Sequence, residues 1–270
     1  MRSFVFFFAA ATSFAQDPRE IVRRSVELDQ ANWLRMKDYT WTAQETDRHL
    51  DSNGKVESIE SKRWETTILY GEPFRRMLAR NGKPLSADEQ RKEQLRLDKE
   101  TAKFEQETLD ERTRRLAKLE KDRAKEREFL REIPDVYNFR IVRDDQVDGH
   151  AVWVIAATPK PGYTPRHSDA KPLTKIKGEL WVDKAEFQWV RLEAETIDTI
   201  SFGWILARLN PGSRLVFEQT RVNNDLWLPK RELVRGSGRV ALLKKIALEQ
   251  EVTWSNYHKF QADSKVVTVE

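Results

Sequence analysis

The chain has 270 residues, of which 34% are charged, yet its formal net charge is only +4. Because basic and acidic residues are interleaved instead of clustered by sign, the sequence does not predict a nucleic-acid-binding face. No cysteine is present, which excludes disulfides, thiol catalysis, thiolate metal ligands and lipid attachment to an N-terminal cysteine.

The first fifteen residues have the layout of a secretory signal. Arg2 precedes an apolar run of about a dozen residues, which is too short to span a bilayer. Ser13 and Ala15 place small residues three and one positions before the predicted cut. We therefore expect a signal peptide at 1–15, cleavage after Ala15 and an exported mature chain of residues 16–270. An uncleaved anchor or a buried helix is the alternative interpretation.

A helix and a strand hairpin are predicted next. Pro18 follows an aspartate N-cap and stands at the first helical position. Asn53-Gly54 is a favoured hairpin turn, and Pro73-Phe74 is expected to break the pattern before a third strand. The predicted elements are a helix that ends near Met36 and strands that start at Tyr39 and cover Val56–Tyr70 and Arg75–Ala79.

Residues 86–132 form a charged insertion with fourteen basic and fourteen acidic residues and neither glycine nor proline before Ile133-Pro134. Ser86 and Glu89 have the spacing of a capping box, and Pro134 is expected to end the helical segment. A sparse seven-residue register is formed by Leu95, Ala102, Leu109, Leu116 and Leu130. This pattern fits one continuous helix of roughly 70 Å. It fits a helical hairpin with a break near residues 110–113 equally well. We favour a solvated flap with one apolar seam against the sheet; a partner-binding arm is the alternative.

The remainder predicts β structure, with a second favoured turn at Asp148-Gly149. The expected strands are Phe139–Val147, Ala151–Thr158, Lys175–Asp183, Phe187–Ile200, Ser213–Asn223, Trp227–Arg235 and Ala247–Phe260. In the fourth, Val190, Leu192, Ala194 and Thr196 alternate with charged residues, which is typical of an antiparallel sheet covered on one side. The fold class is α+β, a large curved antiparallel sheet covered by helices.

No catalytic or metal-binding motif stands out. The four histidines are His49, His150, His167 and His258. No two of them have the spacing at which a helix places two metal ligands side by side. Gly236-Ser237-Gly238 is expected to be a turn or bulge, not a phosphate loop. Since forty-four acidic residues identify no catalytic pair, we expect no enzyme, no metal and no cofactor. A hydrolase with an unrecognised site is the alternative.

Tryptophan is abundant on the predicted strands. So many large rings favour a concave apolar surface that holds an acyl chain under a helical lid; a plain sheet–helix core is the alternative. The candidate cavity residues are Trp41, Trp153, Trp181, Trp189 and Phe217. The apolar stretch Phe202–Ala207 fits a buried strand or a mobile mouth of the cavity.

Short segments spread over most of the chain resemble known sequences. They are Pro73–Arg75, Asn81–Lys83, Lys177–Asp183, Trp189–Glu193, Leu215–Val222, Leu226–Lys230 and Tyr257–Phe260. The first two resemble the early strands of periplasmic lipoprotein carriers of the LolA type, and the others resemble the wider superfamily of LolA, LolB and RseB, including its outer-membrane lipoprotein-sorting relatives. The resemblance implies one LolA-like domain over 16–270. It also implies a half-barrel, an unclosed β-barrel lidded by helices, whose hydrophobic cavity accepts acyl chains.

This resemblance implies a monomeric, non-enzymatic periplasmic carrier of lipid or lipoprotein acyl chains toward the outer membrane. Its partners would be those acyl chains and inner- and outer-membrane transfer proteins, and not nucleic acid. An RseB-like sensor that docks a partner through its charged helices is the alternative. The known carriers have a basic residue that controls the lid at the position of Glu72, so their hand-off mechanism is not implied here. The insertion 86–132 is also longer than their lid.

Overall fold

The computed structural model describes residues 16–202, 207–240 and 244–259. The helices are α1 (Pro18–Arg35), α2 (Ala87–Glu105), α3 (Leu109–Glu126) and α4 (Ile133–Val136). The strands are β1 (Tyr39–Leu50), β2 (Val56–Leu69), β3 (Glu72–Arg80), β4 (Lys83–Pro84), β5 (Tyr137–Val147), β6 (His150–Pro159), β7 (Ile176–Asp183), β8 (Trp189–Thr196), β9 (Ile200–Phe202), β10 (Ala207–Leu209), β11 (Arg214–Val222), β12 (Leu226–Val240) and β13 (Lys244–Lys259). The predicted signal peptide and residues 203–206 of the apolar stretch lie outside the described residues.

All the strands belong to one antiparallel sheet. Its order is β4-β3-β2-β1-β13-β12-β11-β8-β7-β6-β5, and the β9–β10 hairpin pairs with the end of β12. Within the described ranges no pairing joins β4 to β5, so the sheet is an unclosed half-barrel. The predicted α+β class is confirmed.

Helix α1 covers one face of this sheet. The Asp17 side chain accepts a hydrogen bond from the backbone N–H of Arg19 at 2.9 Å, and Pro18 opens the helix as predicted. The helix packs on β6 and β7 through a cluster formed by Ile21, Val22, Val26, Ile155 and Val182. Each such buried side chain stabilises the fold by about 1.5–3 kcal/mol. We call the face under α1 the inner face and the opposite one the outer face.

The two predicted hairpin turns are confirmed. Gly54 and Gly149 have φ values of 80° and 86°, which glycine adopts without steric cost. The expected break at Pro73 is displaced, because the tight turn stands at Tyr70-Gly71 and Pro73 pairs with Ile68 inside β3. Proline is tolerated there because β4 pairs only with Ala79 and Arg80 of β3, which leaves Pro73 at the edge of the sheet.

The insertion is two helices, not one. Helix α3 begins with a second capping box, in which Thr108 and Glu111 satisfy each other's backbone donors, so the break precedes the predicted position by a few residues. The predicted apolar register is wrong, since Leu95 is 62% and Leu109 is 82% exposed. The buried residues of α2 are Leu97, Thr101 and Phe104. Pro134 does not end the helical insertion; it lies in the first turn of α4, after α3 has already ended.

Helix α2 takes the place of a further strand at the sheet edge. The backbone N–H of Met77 in β3 donates to Glu93 at 2.8 Å, and Arg96 donates to the carbonyl of Arg75 at 2.5 Å. Because Glu93 also pairs with Arg96 at 2.7 Å, these two edge groups of β3 are bonded inside the protein. Such contacts hinder the pairing of this edge with another chain.

The region predicted as one strand over residues 187–200 is two strands, β8 and β9. A bulge pairs Trp181 with Arg191 and Val182 with Trp189. Val190 therefore faces the outer side with Trp181, not the inner side as the alternation predicts. The sheet is apolar on both faces here, since an outer cluster contains Val152, Val154, Trp181, Val190 and Trp227.

Gly236 and Gly238 lie in regular pairing within β12, so the expected turn or bulge is wrong. A Cβ atom on Gly238 would lie 1.9 Å from the carbonyl oxygen of Arg208, and one on Gly236 would lie 2.2 Å from Oγ of Ser213. Glycine is required because β10 and the start of β11 approach the β12 backbone closely.

No helix in the described part of the chain combines the length and the apolar character needed to cross a bilayer.

Candidate ligand-binding site

A buried polar network lies between α1 and the sheet. Asp29 accepts a hydrogen bond from Gln219 at 2.8 Å, and Gln219 accepts one from Gln188 at 2.8 Å. Asn32 donates to Gln188 at 2.9 Å, and Arg127 pairs with Asp29 at 2.5 Å. Since an unpaired buried polar group is costly, this network fixes the position of α1 over the sheet. Along α1 it separates two apolar regions of the inner face.

The first region is filled by side chains. Trp153 and Trp189 pack against the cluster beneath the first half of α1, together with Phe187. The ring centroids of Trp153 and Phe187 are 5.5 Å apart. Two of the predicted cavity residues therefore contact the sheet–helix core.

The second region contains a cavity of about 400 Å³, which we call the sheet cavity. It lies between the end of α1, α3 and strands β1, β2, β3 and β13. Its apolar lining consists of Trp33, Met36, Trp41, Ala43, Ile68, Pro73, Val252 and Trp254. Cavities of this size and composition are typical of small-molecule sites.

Cross-strand pairing places the sheet cavity on the inner face. The successive partners across the sheet are Ile155, Leu180, Leu192, Phe217, Glu232, Val252 and Glu45. Directly paired residues share a face, so Val252 and Glu45 of the cavity lie on the side covered by α1. Within this row, burial raises the pKa of Glu232.

The polar lining of the sheet cavity is mainly cationic. It consists of Lys37, Glu45, Thr66, Arg75 and Arg123. Arg75 stands 3.8 Å from Glu45 and its guanidinium lies 4.6 Å from the ring centroid of Trp64. Lys37 pairs with Glu120 of α3. The cavity thus has an apolar body with charged groups at its margin.

A second cavity adjoins the first. This helix groove, of about 560 Å³, lies between α1 and the C-terminal part of α3 and is lined by Val26, Ala31 and Leu34 among apolar residues. Trp33 and Arg123 line both cavities.

Helix α3 spans this region and is held mainly by polar contacts. At one end Arg115 donates to the carbonyl of Tyr70 at 3.1 Å and pairs with Glu72 at 2.7 Å. At the other end, the guanidinium of Arg127 lies 4.9 Å from the ring centroid of Trp33. The same guanidinium pairs with Asp29. No residue of α3 is buried, and a helix with few buried contacts opens at a low free-energy cost.

Glu72 therefore has a defined partner in this chain. It precedes Pro73 at the turn between β2 and β3, where Leu116 of α3 lies over Gly71; a Cβ atom on that glycine would stand 2.6 Å from the Leu116 side chain. The acidic residue at this position ties the insertion to the sheet through Arg115.

The structure does not bring the five predicted residues together. Trp41 lines the sheet cavity, 6.3 Å from Tyr257 between ring centroids. Trp181 lies on the outer face, where it donates to Asp145 at 3.2 Å. Phe217 is half-buried on the inner face, paired with Leu192 and Glu232. Lipid binding by these residues remains a prediction.

Sequence reasoning did not select Trp33, Trp254 or Arg123. Trp254 has the same strand setting as the residues that were chosen, and only its pairing with Ala43 places it at the cavity. Trp33 lies on α1, whereas the candidates were all drawn from predicted strands. No local signal distinguishes Arg123 within a run of charged residues.

Within residues 16–202, 207–240 and 244–259, no group of three or more metal-ligating side chains comes together. His150 instead bonds Asp183 at 3.0 Å, and Asp183 accepts from the backbone N–H groups of Ala185 and Glu186. This arrangement orders the turn between β7 and β8.

Among solved structures, the chain is similar to an outer membrane lipoprotein-sorting protein domain from Vibrio parahaemolyticus, with 12% identity over 91% of this chain and 95% of that one and a TM-score of 0.35. It is also similar to a LolA superfamily protein from Nitrosomonas europaea (11% identity, 90% and 93% covered, TM-score 0.31). A third match is MucB in complex with MucA(peri) (10% identity, 91% and 100% covered, TM-score 0.26).

No family model matches the chain, and no curated protein matches it by sequence. A function has to be argued from the residues of this chain.

Proposed function

We propose that the protein is a non-enzymatic carrier that holds an acyl chain of a lipid or lipoprotein in the sheet cavity. The observation that supports this proposal is an apolar cavity of about 400 Å³ with three tryptophans in its lining, beside a helix that has no buried residue. Such a site combines apolar surface with a roof that can move away.

The energetics suit reversible transfer. An acyl chain that leaves water gains about 0.8 kcal/mol for each buried CH₂ group. Relative to a bilayer, the same burial yields almost no net free energy, since both environments are apolar. A carrier of this kind can therefore accept a chain from one membrane and release it to another.

The setting of this function is part of the same proposal. The apolar N-terminal run and the small residues at Ser13 and Ala15 support export to the periplasm, with residues 16–270 as one domain. There, acyl chains and the transfer proteins of the inner and outer membranes would be the partners.

The first test is purification of residues 16–270 without detergent, followed by native mass spectrometry and uptake of a fluorescent fatty acid. The informative variant is Ala43→Phe. Ala43 is 5% exposed in the cavity floor, opposite Trp64 and Trp254, so a phenyl ring there occupies space that the ligand needs. Displacing two CH₂ groups costs about 1.6 kcal/mol, so we expect uptake to weaken about tenfold or more.

The matched control is Trp153→Phe, which changes an aromatic residue of the inner face outside the cavity. Its uptake should equal that of the wild type, with thermal unfolding measured on both variants. Uptake that survives Ala43→Phe would show that the chain binds elsewhere.

A wild-type protein that is empty and takes up no fatty acid would favour the second candidate, a docking protein of the RseB kind. In that case the docking surface would be the two charged helices, on which Leu95 and Leu109 are 62% and 82% exposed.

A further inference from the structure

Arg123 occupies the junction of the two cavities. It belongs to the last turns of α3 and is half-buried, and it lines the sheet cavity as well as the helix groove. Trp33 of α1 lines both cavities from the opposite side. A ligand whose apolar part fills the sheet cavity would therefore place its other end beside Arg123.

Positive charge dominates this junction. Six cationic side chains and two carboxylates line the two cavities together. Several of these cations are neutralised by ion pairs, such as Arg23 by Glu27 and Arg127 by Asp29. Arg123 forms no salt bridge within the described residues, and Glu120, one turn earlier, pairs directly with Lys37.

The hydrogen-bond inventory indicates the same kind of ligand. Three buried side-chain polar atoms lack a partner within the described ranges, and two of them are the N–H donors Nε1 of Trp33 and Nε of Arg127. Both belong to side chains that line the helix groove. Buried donors without acceptors are uncommon and costly, and an oxygen-rich group would supply the missing acceptors once the side chains adjust around it.

We propose that the ligand is an anionic amphiphile, with its apolar tail in the sheet cavity and its negatively charged head at Arg123. The inference rests on the proposed carrier function and names the ligand class. A guanidinium binds a carboxylate or a phosphate through charge-assisted hydrogen bonds, and its partial burial limits screening by salt. A neutral amphiphile would fill the same cavity and leave this charge uncompensated.

The test compares two probes with the same tail, a dansyl-labelled undecanoic acid and its methyl ester, by fluorescence titration at pH 7. We expect the wild type to bind the acid more tightly than the ester. Arg123→Gln should weaken binding of the acid about tenfold, the loss typical of one hydrogen bond to a charged group, and leave binding of the ester unchanged. Arg123→Lys, which keeps the charge, should restore part of the affinity.

The matched control is Arg112→Gln, the same change on the exposed N-terminal part of α3, which should leave both affinities unchanged. Equal binding of acid and ester by the wild type would overturn the inference while leaving the carrier function standing, as would an equal loss for both probes in Arg123→Gln. Failure of both probes to bind would overturn the carrier function itself.

Discussion

A single carboxylate orders the irregular segment that follows β6. Glu132 is 3% exposed and accepts hydrogen bonds from the backbone N–H of Arg166 at 3.0 Å, the backbone N–H of His167 at 2.8 Å and the hydroxyl of Tyr163 at 3.1 Å. Burial alone would raise the pKa of Glu132, but these donors outweigh it and lower the pKa below its ordinary value.

This environment predicts the effect of Glu132→Gln. The side-chain amide nitrogen of the variant is itself a donor, and it would face the donors of Arg166, His167 and Tyr163. At pH 7 we therefore expect a loss of about 2 kcal/mol in the free energy of unfolding. Because the folded-state pKa is lowered, the stabilising contribution of Glu132 is present above the ordinary value and is lost as the pH falls through the folded-state value. Urea unfolding should therefore show the two proteins converging in stability at acid pH.

Glu128→Gln is the matched control, because Glu128 is an exposed glutamate four residues before Glu132. It should change the free energy of unfolding by less than about 0.5 kcal/mol. A pH-independent difference between Glu132→Gln and the wild type would contradict the role assigned to the charge.

At the scale of elements, the two helices of the insertion differ in how they are held. Helix α2 buries Leu97 and Phe104 and bonds the edge of β3, whereas α3 buries no residue. Each begins with a capping box, at Ser86 and at Thr108. The caps are chemically equivalent, so the same substitution tests whether each helix unfolds with the sheet or by itself.

We expect Thr108→Ala to raise amide hydrogen exchange in the first turns of α3 about fivefold, the equivalent of about 1 kcal/mol of lost capping. Its urea unfolding midpoint should stay that of the wild type, since α3 opens locally. Ser86→Ala should instead lower the free energy of global unfolding by about 1 kcal/mol. If Thr108→Ala lowered the midpoint as much as Ser86→Ala, α3 would be part of the cooperative core and not a movable roof.

Elements with local signals could be predicted from the sequence. The turns at Asn53-Gly54 and Asp148-Gly149 need only the residues that form them, as does the start of α1 at Pro18. The break before α3 also had a local signal, since Thr108 and Glu111 have capping-box spacing. The sequence analysis left one helix and a hairpin both open, because the seven-residue register of leucines continues across this signal.

The candidate site depends on non-local contacts, so the sequence indicated an apolar cavity but not its position. An apolar cavity beside helices was expected, but its position depends on which half of the inner face α1 fills. That is decided by contacts such as Gln219 to Asp29, 190 residues apart in sequence. The bulge that turns Val190 outward is likewise a property of pairing between β7 and β8. The tryptophans alone could not distinguish core from cavity.

At the scale of the whole molecule, many of the opposite charges pair with one another on the outer face. No described helix covers this face along β8, β11, β12, β13 and β1. Alternating charges form a ladder across these five strands. It consists of Arg191–Glu218 (3.5 Å), Glu218–Arg231 (3.7 Å), Arg231–Glu251 (2.7 Å), Glu251–Arg48 (3.2 Å), Arg48–Glu249 (3.1 Å) and Glu249–Arg235 (3.6 Å). A network of this kind stabilises more than isolated surface pairs do.

The position of each arginine in this ladder decides what its loss costs. Arg231 joins Glu218 to Glu251, so Arg231→Met leaves two carboxylates without that partner, and we expect a loss of about 1–2 kcal/mol in the free energy of unfolding. Arg235 is at the end of the ladder and is 53% exposed, so Arg235→Met should cost less than about 0.5 kcal/mol. The measurement is urea unfolding of both variants at low salt and at about 1 M salt, where the screening length is roughly 3 Å. The difference between their free energies of unfolding should be smaller at high salt. Equal losses, or a difference that persists in salt, would contradict the role assigned to the charge of Arg231 at the centre of the ladder.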